Sequence, residues 1–140
     1  MKNNRFKYIF IFLVLLATTS FFALKQINKE HVNVEKTTPN MIIAVAQILS
    51  DYQNNEAAAN TKFTDKVIQL KGVISEISTH DGNATITLSH PNFDTTVICS
   101  FQPKENLSVL KYKKGDKISL KGICTGYLLD VVLVNCVIIK

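Results

Sequence analysis

With 140 residues, of which 46% are hydrophobic and 19% are charged, the chain is long enough for one compact domain and too short for two of ordinary size. The formal net charge is +5 at pH 7, but Lys2, Arg5 and Lys7 precede an uncharged run, which leaves 13 basic and 11 acidic residues from Lys25 onward. A domain charge of only +2 argues against a strongly cationic nucleic-acid binder.

The first 24 residues predict an export or membrane-anchoring segment. A basic head over residues 1–7 precedes residues 8–24, which are mostly apolar and carry no charge. This run is short for a spanning helix and long for the apolar part of a cleaved signal peptide, so both alternatives stay open. Phe21 and Phe22 crowd the cleavage position and favour an uncleaved anchor. The basic head places the N-terminus in the cytoplasm and the domain on the extracytoplasmic side, periplasmic or extracellular.

Two further segments precede the predicted sheet. Residues 25–38 are polar and show no sustained period, which predicts a mobile tether. Thr38 and Pro39 then have the pattern of a helix start, and apolar residues recur at three- and four-residue steps over residues 39–60. We expect an amphipathic helix that docks on the sheet through one face. The residues of this face are Ile42, Val45, Leu49, Tyr52, Glu56, Ala59 and Phe63.

From residue 66 the apolar period changes to two and predicts five strands up to residue 139. The turn His80-Asp81-Gly82-Asn83 predicts a hairpin between the first two strands. The last strand is apolar on both faces, so we expect it in the middle of the sheet. The predicted strands cover residues 67–78, 84–89, 95–102, 116–127 and 129–139.

A near-repeat marks the first and fourth of these strands: Ile68-Gln-Leu-Lys-Gly-Val73 returns as Ile118-Ser-Leu-Lys-Gly-Ile123. In both copies an alternating segment ends at a glycine, which predicts a half-buried strand that bends at that residue. Five strands with bends in the first and the fourth predict an all-β domain with an N-terminal helix, in which the strands form an OB-fold Greek-key barrel. In that barrel the two repeated segments lie side by side.

The order of several short motifs resembles the tRNA-anti-like OB-fold family, small bacterial domains often carried behind a signal or membrane anchor. The resemblance covers residues 44–139. It implies the OB barrel and, by analogy of fold, a nucleic-acid ligand. The matching residues are Tyr52-x-x-Asn55-Glu56-x-x-Ala59, Lys66-x-Ile68-x-Leu70-x-Gly72, Val97-x-Cys99-x-Phe101, Lys114-Gly115-Asp116-x-Ile118-x-Leu120-x-Gly122-x-Cys124-x-Gly126 and Cys136.

Two groups of residues are candidates for ligand binding. Lys71 and Lys121 are out of phase with the core residues of adjacent strands, so we expect both to face solvent, either in a cationic stripe along a phosphate backbone or as ordinary solvated surface. The usual ligand face of an OB barrel, on the second and third strands, is polar but uncharged here, which weakens the nucleic-acid hypothesis. Its candidates are Thr85, Thr87, Thr96 and Ser100, and the three possible stacking aromatics are Phe93, Tyr112 and Tyr127.

The three cysteines predict one disulfide in an oxidising compartment. Cys124 with Cys136 is the preferred pair, Cys99 with Cys136 is the second, and three buried thiols are the alternative. We expect no metal site, because the cysteines lack C-x-x-C spacing and the histidines at positions 80 and 90 stand at opposite ends of a strand.

The sequence contains no catalytic constellation, so we expect neither an enzyme nor a cofactor. The main hypothesis is a membrane-anchored extracytoplasmic binding or interaction module whose ligand is an envelope protein, a peptide or a saccharide. The alternative is an OB-fold protein that binds single-stranded DNA or RNA. A small enzyme with an unfamiliar site is a third possibility.

Overall fold

The structure is a computed structural model that describes residues 32–139 together with residues 7–9, 11 and 14. Residues 7–9, 11 and 14 are helical. They belong to the first of two compact units, Met1–Val32, and the second unit is Asn33–Lys140. The rest of the predicted anchor and the predicted tether up to residue 31 lie outside the described residues. Among the helices that are described, none has the length and apolar character needed to cross a membrane.

The described part of the domain contains six strands, three α-helices and one 3₁₀ turn. Five of the strands, β2 to β6, correspond to the five predicted ones. In chain order the elements are β1 (Met41–Ala44), α1 (Val45–Asn54), α2 (Glu56–Phe63), β2 (Val67–His80), β3 (Asn83–Ser89), β4 (Val97–Phe101), the 3₁₀ turn (Pro103–Glu105), α3 (Asn106–Val109), β5 (Lys117–Tyr127) and β6 (Val131–Ile138).

The strands form a closed barrel, which confirms the predicted OB architecture. They are ordered β1-β2-β3-β4-β6-β5, and an additional pairing of β2 with β5 closes the ring. As predicted, β6 is internal and lies between β4 and β5. The β2–β3 hairpin also forms as predicted: Asp81 and Gly82 have φ values of 49° and 78°, the positive φ at both central residues that a type I′ turn requires.

The repeated segments are antiparallel neighbours in this barrel, as predicted. Leu70 pairs with Leu120 at their centre, and each glycine lies opposite the isoleucine of the other copy, Gly72 opposite Ile118 and Gly122 opposite Ile68. The repeat is therefore a symmetric seam between β2 and β5 whose pairing is unbroken from Val67 to Val73.

The two glycines serve different purposes. Gly122 lies within an irregularity of the β5–β6 ladder, and a Cβ there would come within 2.5 Å of the Cys136 Sγ. The ladder irregularity of β2 falls later than Gly72, between Ile74 and Glu76, and β2 changes its partner strand from β5 to β3 at Val73, so the predicted bend at Gly72 stays a prediction. A Cβ on Gly72 would lie 2.5 Å from Val45 Cγ2, so this glycine lets α1 approach the sheet.

The predicted single helix over residues 39–60 differs from the structure. Residues 41–44 form β1, which pairs in parallel with β2, and Asn40 fixes its start because its side-chain oxygen accepts a hydrogen bond from Val67 N at 3.1 Å. Ile42, expected on the buried helix face, is 58% exposed. The helix that follows is interrupted at Asn55, whose side chain caps α2 by accepting a hydrogen bond from Ala58 N.

Docking of the helices on the sheet is confirmed. Tyr52 from α1 and Phe63 from α2 are buried in the same core cluster as inward-facing residues of all five barrel strands. Their ring centroids are 5.7 Å apart. Glu56, the carboxylate expected on this face, is exposed at the first position of α2, where a negative charge favours the helix dipole.

Residues 33–37, which we call the latch, do not behave as the predicted mobile tether. Val34 is buried against Val67 and Val137 on the outside of the barrel. The Lys121 ammonium donates hydrogen bonds to the backbone oxygens of Glu35 and Thr37, both at 2.9 Å. The latch therefore holds the segment before β1 against β5 and β6.

Candidate functional site

Three neighbouring strands, β3, β4 and β6, contain no charged residue. Their outward side chains form one surface, which we call the uncharged face. Thr85 pairs with Ser100, Thr87 pairs with Ile98, and Ile98 pairs in turn with Val132. All of these side chains are half-buried. The face thus combines hydroxyl groups with branched apolar side chains, and it offers no cation to a phosphate.

The structure brings three of the predicted hydroxyl residues together on this face: Thr85, Thr87 and Ser100. Thr96 is different, because it is engaged by Asp130. The Asp130 Oδ1 accepts hydrogen bonds from Thr96 N at 2.6 Å and from Thr96 Oγ1 at 2.9 Å. Thr96 therefore joins the loop before β4 to the turn between β5 and β6.

That turn presents two large apolar side chains to solvent. Leu128 is 88% exposed and Leu129 is 84% exposed. Val131, which follows the turn, pairs with Val97, the first residue of β4, so the turn lies at one end of the uncharged face. Exposed leucines next to each other are unusual unless something covers them.

An open cavity of about 610 Å³ lies beside Leu128, between α2 and the β5–β6 hairpin. Its lining contains side-chain amide and hydroxyl groups, one phenol ring and no charged residue. The lining residues are Asn60, Thr61, Thr64, Thr125, Gly126, Tyr127, Leu128 and Val132.

The three possible stacking aromatics, Phe93, Tyr112 and Tyr127, are partly buried against the core. The ring of Tyr127 is stacked on the ring of Tyr52, with 5.3 Å between their centroids, and Tyr127 also lines the cavity. Phe93 packs against the core and against the ring of His90, with 5.7 Å between centroids. Of the three, only Tyr127 lines the cavity beside the β5–β6 turn.

Sequence reasoning missed the contribution of α2 and of the turn. Asn60, Thr61 and Thr64 were outside the helix face that periodicity selected, because that criterion follows only apolar residues. The adjacent Leu128 and Leu129 were a usable signal, since a leucine pair directly before Asp130 and a strand start is out of place in a solvent turn.

The predicted solvent-facing position of Lys121 is wrong. Only 8% of this residue is exposed, because the latch covers it and supplies the two carbonyl oxygens that its ammonium needs when it is removed from water. The prediction failed because the alternation of β5 gives the outward face correctly but says nothing of a segment that packs over that face.

Lys71 is exposed, as predicted, and its basic neighbour is Lys117 instead of Lys121. These two lysines line a cleft of about 440 Å³ with Gly72, Val73, Ile118 and Ser119. Val73 pairs with Lys117, and Lys71 pairs with Ser119 across the β2–β5 seam. The cleft therefore has two ammonium groups beside an apolar floor.

The preferred Cys124–Cys136 disulfide is not formed: all three cysteines are free and buried. The irregular β5–β6 ladder pairs Cys124 with Leu133 and not with Cys136. The Cys124 Sγ lies 3.7 Å from the Tyr52 hydroxyl. Burial raises the pKa of the Cys124 thiol, and it also raises the pKa of Cys136, which has the Cys99 thiol as a neighbour. All three therefore act as small core residues.

Within residues 32–139 and the few described positions before them, no group of three or more His, Cys, Asp or Glu side chains is placed to hold a metal ion.

A closed five-stranded barrel with this strand order defines an OB-fold domain. The chain belongs to the tRNA_anti-like family, whose model matches residues 1–138. Among curated protein sequences, none matches this chain.

One solved structure shows the same fold with a TM-score above 0.5, and two others are similar to a lesser degree. A lipoprotein from Klebsiella pneumoniae subsp. pneumoniae, described as a candidate nucleic-acid binder, is 21% identical, with a TM-score of 0.60 over 71% of this chain and 92% of that chain. The S. pombe Stn1–Ten1 complex is 16% identical, with a TM-score of 0.42 over 53% and 58% of the two chains. A candidate aspartyl-tRNA synthetase from Leishmania major Friedlin is 11% identical, with a TM-score of 0.48 over 87% and 26%.

Proposed function

We propose that this protein is a membrane-anchored, extracytoplasmic binding module that holds an uncharged, extended peptide segment of an envelope protein. The observation that carries the proposal is the uncharged face of β3, β4 and β6 together with the exposed Leu128 and Leu129 at its end. Anchoring rests on the apolar run over residues 8–24 and on its basic head.

The composition of the face favours a protein ligand over nucleic acid. A phosphate backbone is bound through lysine and arginine, and these are absent from all three strands. A peptide needs hydrogen-bonding groups next to apolar contacts, which Thr87, Ser100, Ile98 and the two leucines supply. The cavity beside Leu128 would receive one side chain of such a peptide.

Site-specific photocrosslinking in cells that express the full chain tests this proposal. A photoreactive residue in place of Thr87 is expected to give a discrete adduct that protease removes and nuclease does not. The same residue in place of the exposed Lys71, which lies outside the three strands and does not line the cavity, serves as the control. Leu128→Ser with Leu129→Ser should abolish the Thr87 adduct, whereas a nuclease-sensitive adduct, or equal adducts at both positions, would refute the proposal.

A second candidate function is binding of single-stranded nucleic acid, favoured by the Lys71–Lys117 cleft and by the description of the Klebsiella lipoprotein. If the domain binds single-stranded nucleic acid in this way, the logarithm of the association constant must fall with the logarithm of the salt concentration, with a slope of about 0.7 for each neutralised phosphate. The double variant Lys71→Ala with Lys117→Ala must then reduce that slope by about 1.4. We expect binding too weak to show such a slope, because the usual OB ligand face lacks cations.

We infer binding without catalysis. Among the described residues, neither the cavity nor the cleft is lined by a carboxylate, a histidine or a cysteine, and only neutral and cationic side chains are found there. Incubation of the purified protein with its crosslinked partner should leave the mass of the partner unchanged.

A further inference from the structure

The segment between β4 and β5 exposes two leucines that the proposed function does not use. Leu107 is 76% exposed and Leu110 is 68% exposed. They are three residues apart on the short helix α3 and its last turn, so they lie on one side of it. Single exposed leucines are ordinary, but this pair projects from a fixed element.

The anchoring of α3 keeps both leucines outward. Val109 is fully buried in the core on the other side of the helix. Asn106 joins α3 to the β2–β3 turn, because its Oδ1 accepts a hydrogen bond from Ala84 N and its Nδ2 donates one to Gly82 O, both at 2.8 Å. A rotation that buried Leu107 would break these contacts.

Lysines follow the leucines directly. Lys111, Lys113 and Lys114 are all exposed, and none of them forms a salt bridge among the described residues. Residues 103–117 contain five lysines and two carboxylates, Glu105 and Asp116. One of the five, Lys104, is paired with Glu35 at 2.8 Å, which leaves a net positive surface around the leucines.

We propose that Leu107, Leu110, Lys111, Lys113 and Lys114 form a contact surface for an anionic phospholipid bilayer. Apolar side chains that enter the headgroup region, next to lysines that meet anionic headgroups, are the pattern of interfacial membrane binding. Protein interfaces are depleted in lysine, and single-stranded nucleic acid is held by cations and stacking aromatic rings, not by leucines. The lipid surface therefore fits both halves of the patch.

The location of α3 agrees with the use of the other end of β4 for a ligand. Pro103 follows the end of β4 at Phe101, whereas the β5–β6 turn adjoins the start of β4 through the Val97–Val131 pair. The two lie at opposite ends of the strand. A bilayer against α3 leaves Leu128 in water.

The test uses the full chain with Leu107→Cys labelled by a polarity-sensitive fluorophore, and Leu128→Cys as the matched control. Only the introduced thiol should react, because the native cysteines are fully buried. With vesicles of phosphatidylcholine and phosphatidylglycerol, we expect a blue shift of emission at position 107 and none at position 128. The shift should vanish in pure phosphatidylcholine and in high salt.

Replacement of Lys111, Lys113 and Lys114 by Gln should remove the shift at position 107. The N-terminal segment is the same in all variants, so attachment through it cannot produce a difference at position 107 between the parent chain and the variant in which Gln replaces the three lysines. No shift at 107, an equal shift with neutral vesicles, or an equal shift at 128 would overturn the proposal. A shift caused by a single-stranded oligonucleotide and not by vesicles would assign the surface to nucleic acid instead.

Discussion

The close approach of α1 to the sheet at Gly72 predicts a specific pattern of stability losses. A methyl group added in Gly72→Ala would lie 2.5 Å from Val45 Cγ2, 3.3 Å from Val45 Cβ and 3.5 Å from Leu88 Cδ1. Overpacking of this kind costs about 1–3 kcal/mol, and the reduced freedom of the unfolded chain returns about 0.4–1 kcal/mol. We expect Gly72→Ala to lose about 1–2 kcal/mol of unfolding free energy.

The shortest of these contacts disappears when Val45 is truncated. Val45→Ala alone removes two buried methyl groups and should cost about 2 kcal/mol. In the double variant, which carries both Gly72→Ala and Val45→Ala, the new methyl group at position 72 occupies space that the valine side chain has vacated. Its total loss should therefore be smaller than the sum of the single losses by about 1–2 kcal/mol.

The unmodified domain, the two single variants and the double variant form a double-mutant cycle. Urea denaturation of residues 33–140 measures the unfolding free energy of all four, and it is followed by circular dichroism because the chain has no tryptophan. Val109→Ala is the matched control: this valine is also buried, but it is not among the nearest contacts of the added methyl. Losses at positions 72 and 45 that add within about 0.5 kcal/mol would refute the packing explanation.

Three further outcomes follow from the core and the latch. Lys121→Met should cost about 1.5–3 kcal/mol in urea denaturation, because it leaves two latch carbonyls without their donor, whereas exposed Lys71→Met should change stability by less than about 0.5 kcal/mol. The native protein should react with no thiol reagent and the unfolded protein at three sites. A bridged form unfolded without reductant would react at one site only, and that result would contradict free thiols. Burial raises the pKa of the Tyr52 hydroxyl and of two thiols, so the unfolded chain loses these protons first and the melting temperature should fall above about pH 8.5. Tyr52→Phe should make that fall shallower, and an equal slope would show that this hydroxyl is not involved.

The barrel was predictable because its determinants are local. Period-two alternation identified β2 to β6, the Asp81-Gly82 pair identified the hairpin, and the repeat identified the β2–β5 seam. β1 was missed because four residues carry little periodic information, and because Ile42 and Val45 have the spacing of a helix face. Pairing of residues 41–44 with β2 overrides that local pattern.

The candidate site was predictable in part. Alternation placed Thr85, Thr87 and Ser100 on one face correctly, since side-chain direction in a strand follows from position alone. The environment of Lys121 depends on a contact with Glu35 and Thr37 across more than eighty residues, and polar tether composition gives no sign of it. The partner of Cys124 likewise depends on ladder irregularities that sequence does not reveal.

The latch also determines how the domain would respond to mechanical force. The contacts of the latch follow one another along the chain, first that of Val34 and then those of Glu35 and Thr37. The contact of Asn40 comes next, before the pairs of β1 begin. A pull from the N-terminal side loads them one after another, so each yields at low force before the closed barrel carries tension. If the domain is held by the proposed N-terminal anchor, it would thereby gain extensible length at its base while the proposed ligand surface stays folded.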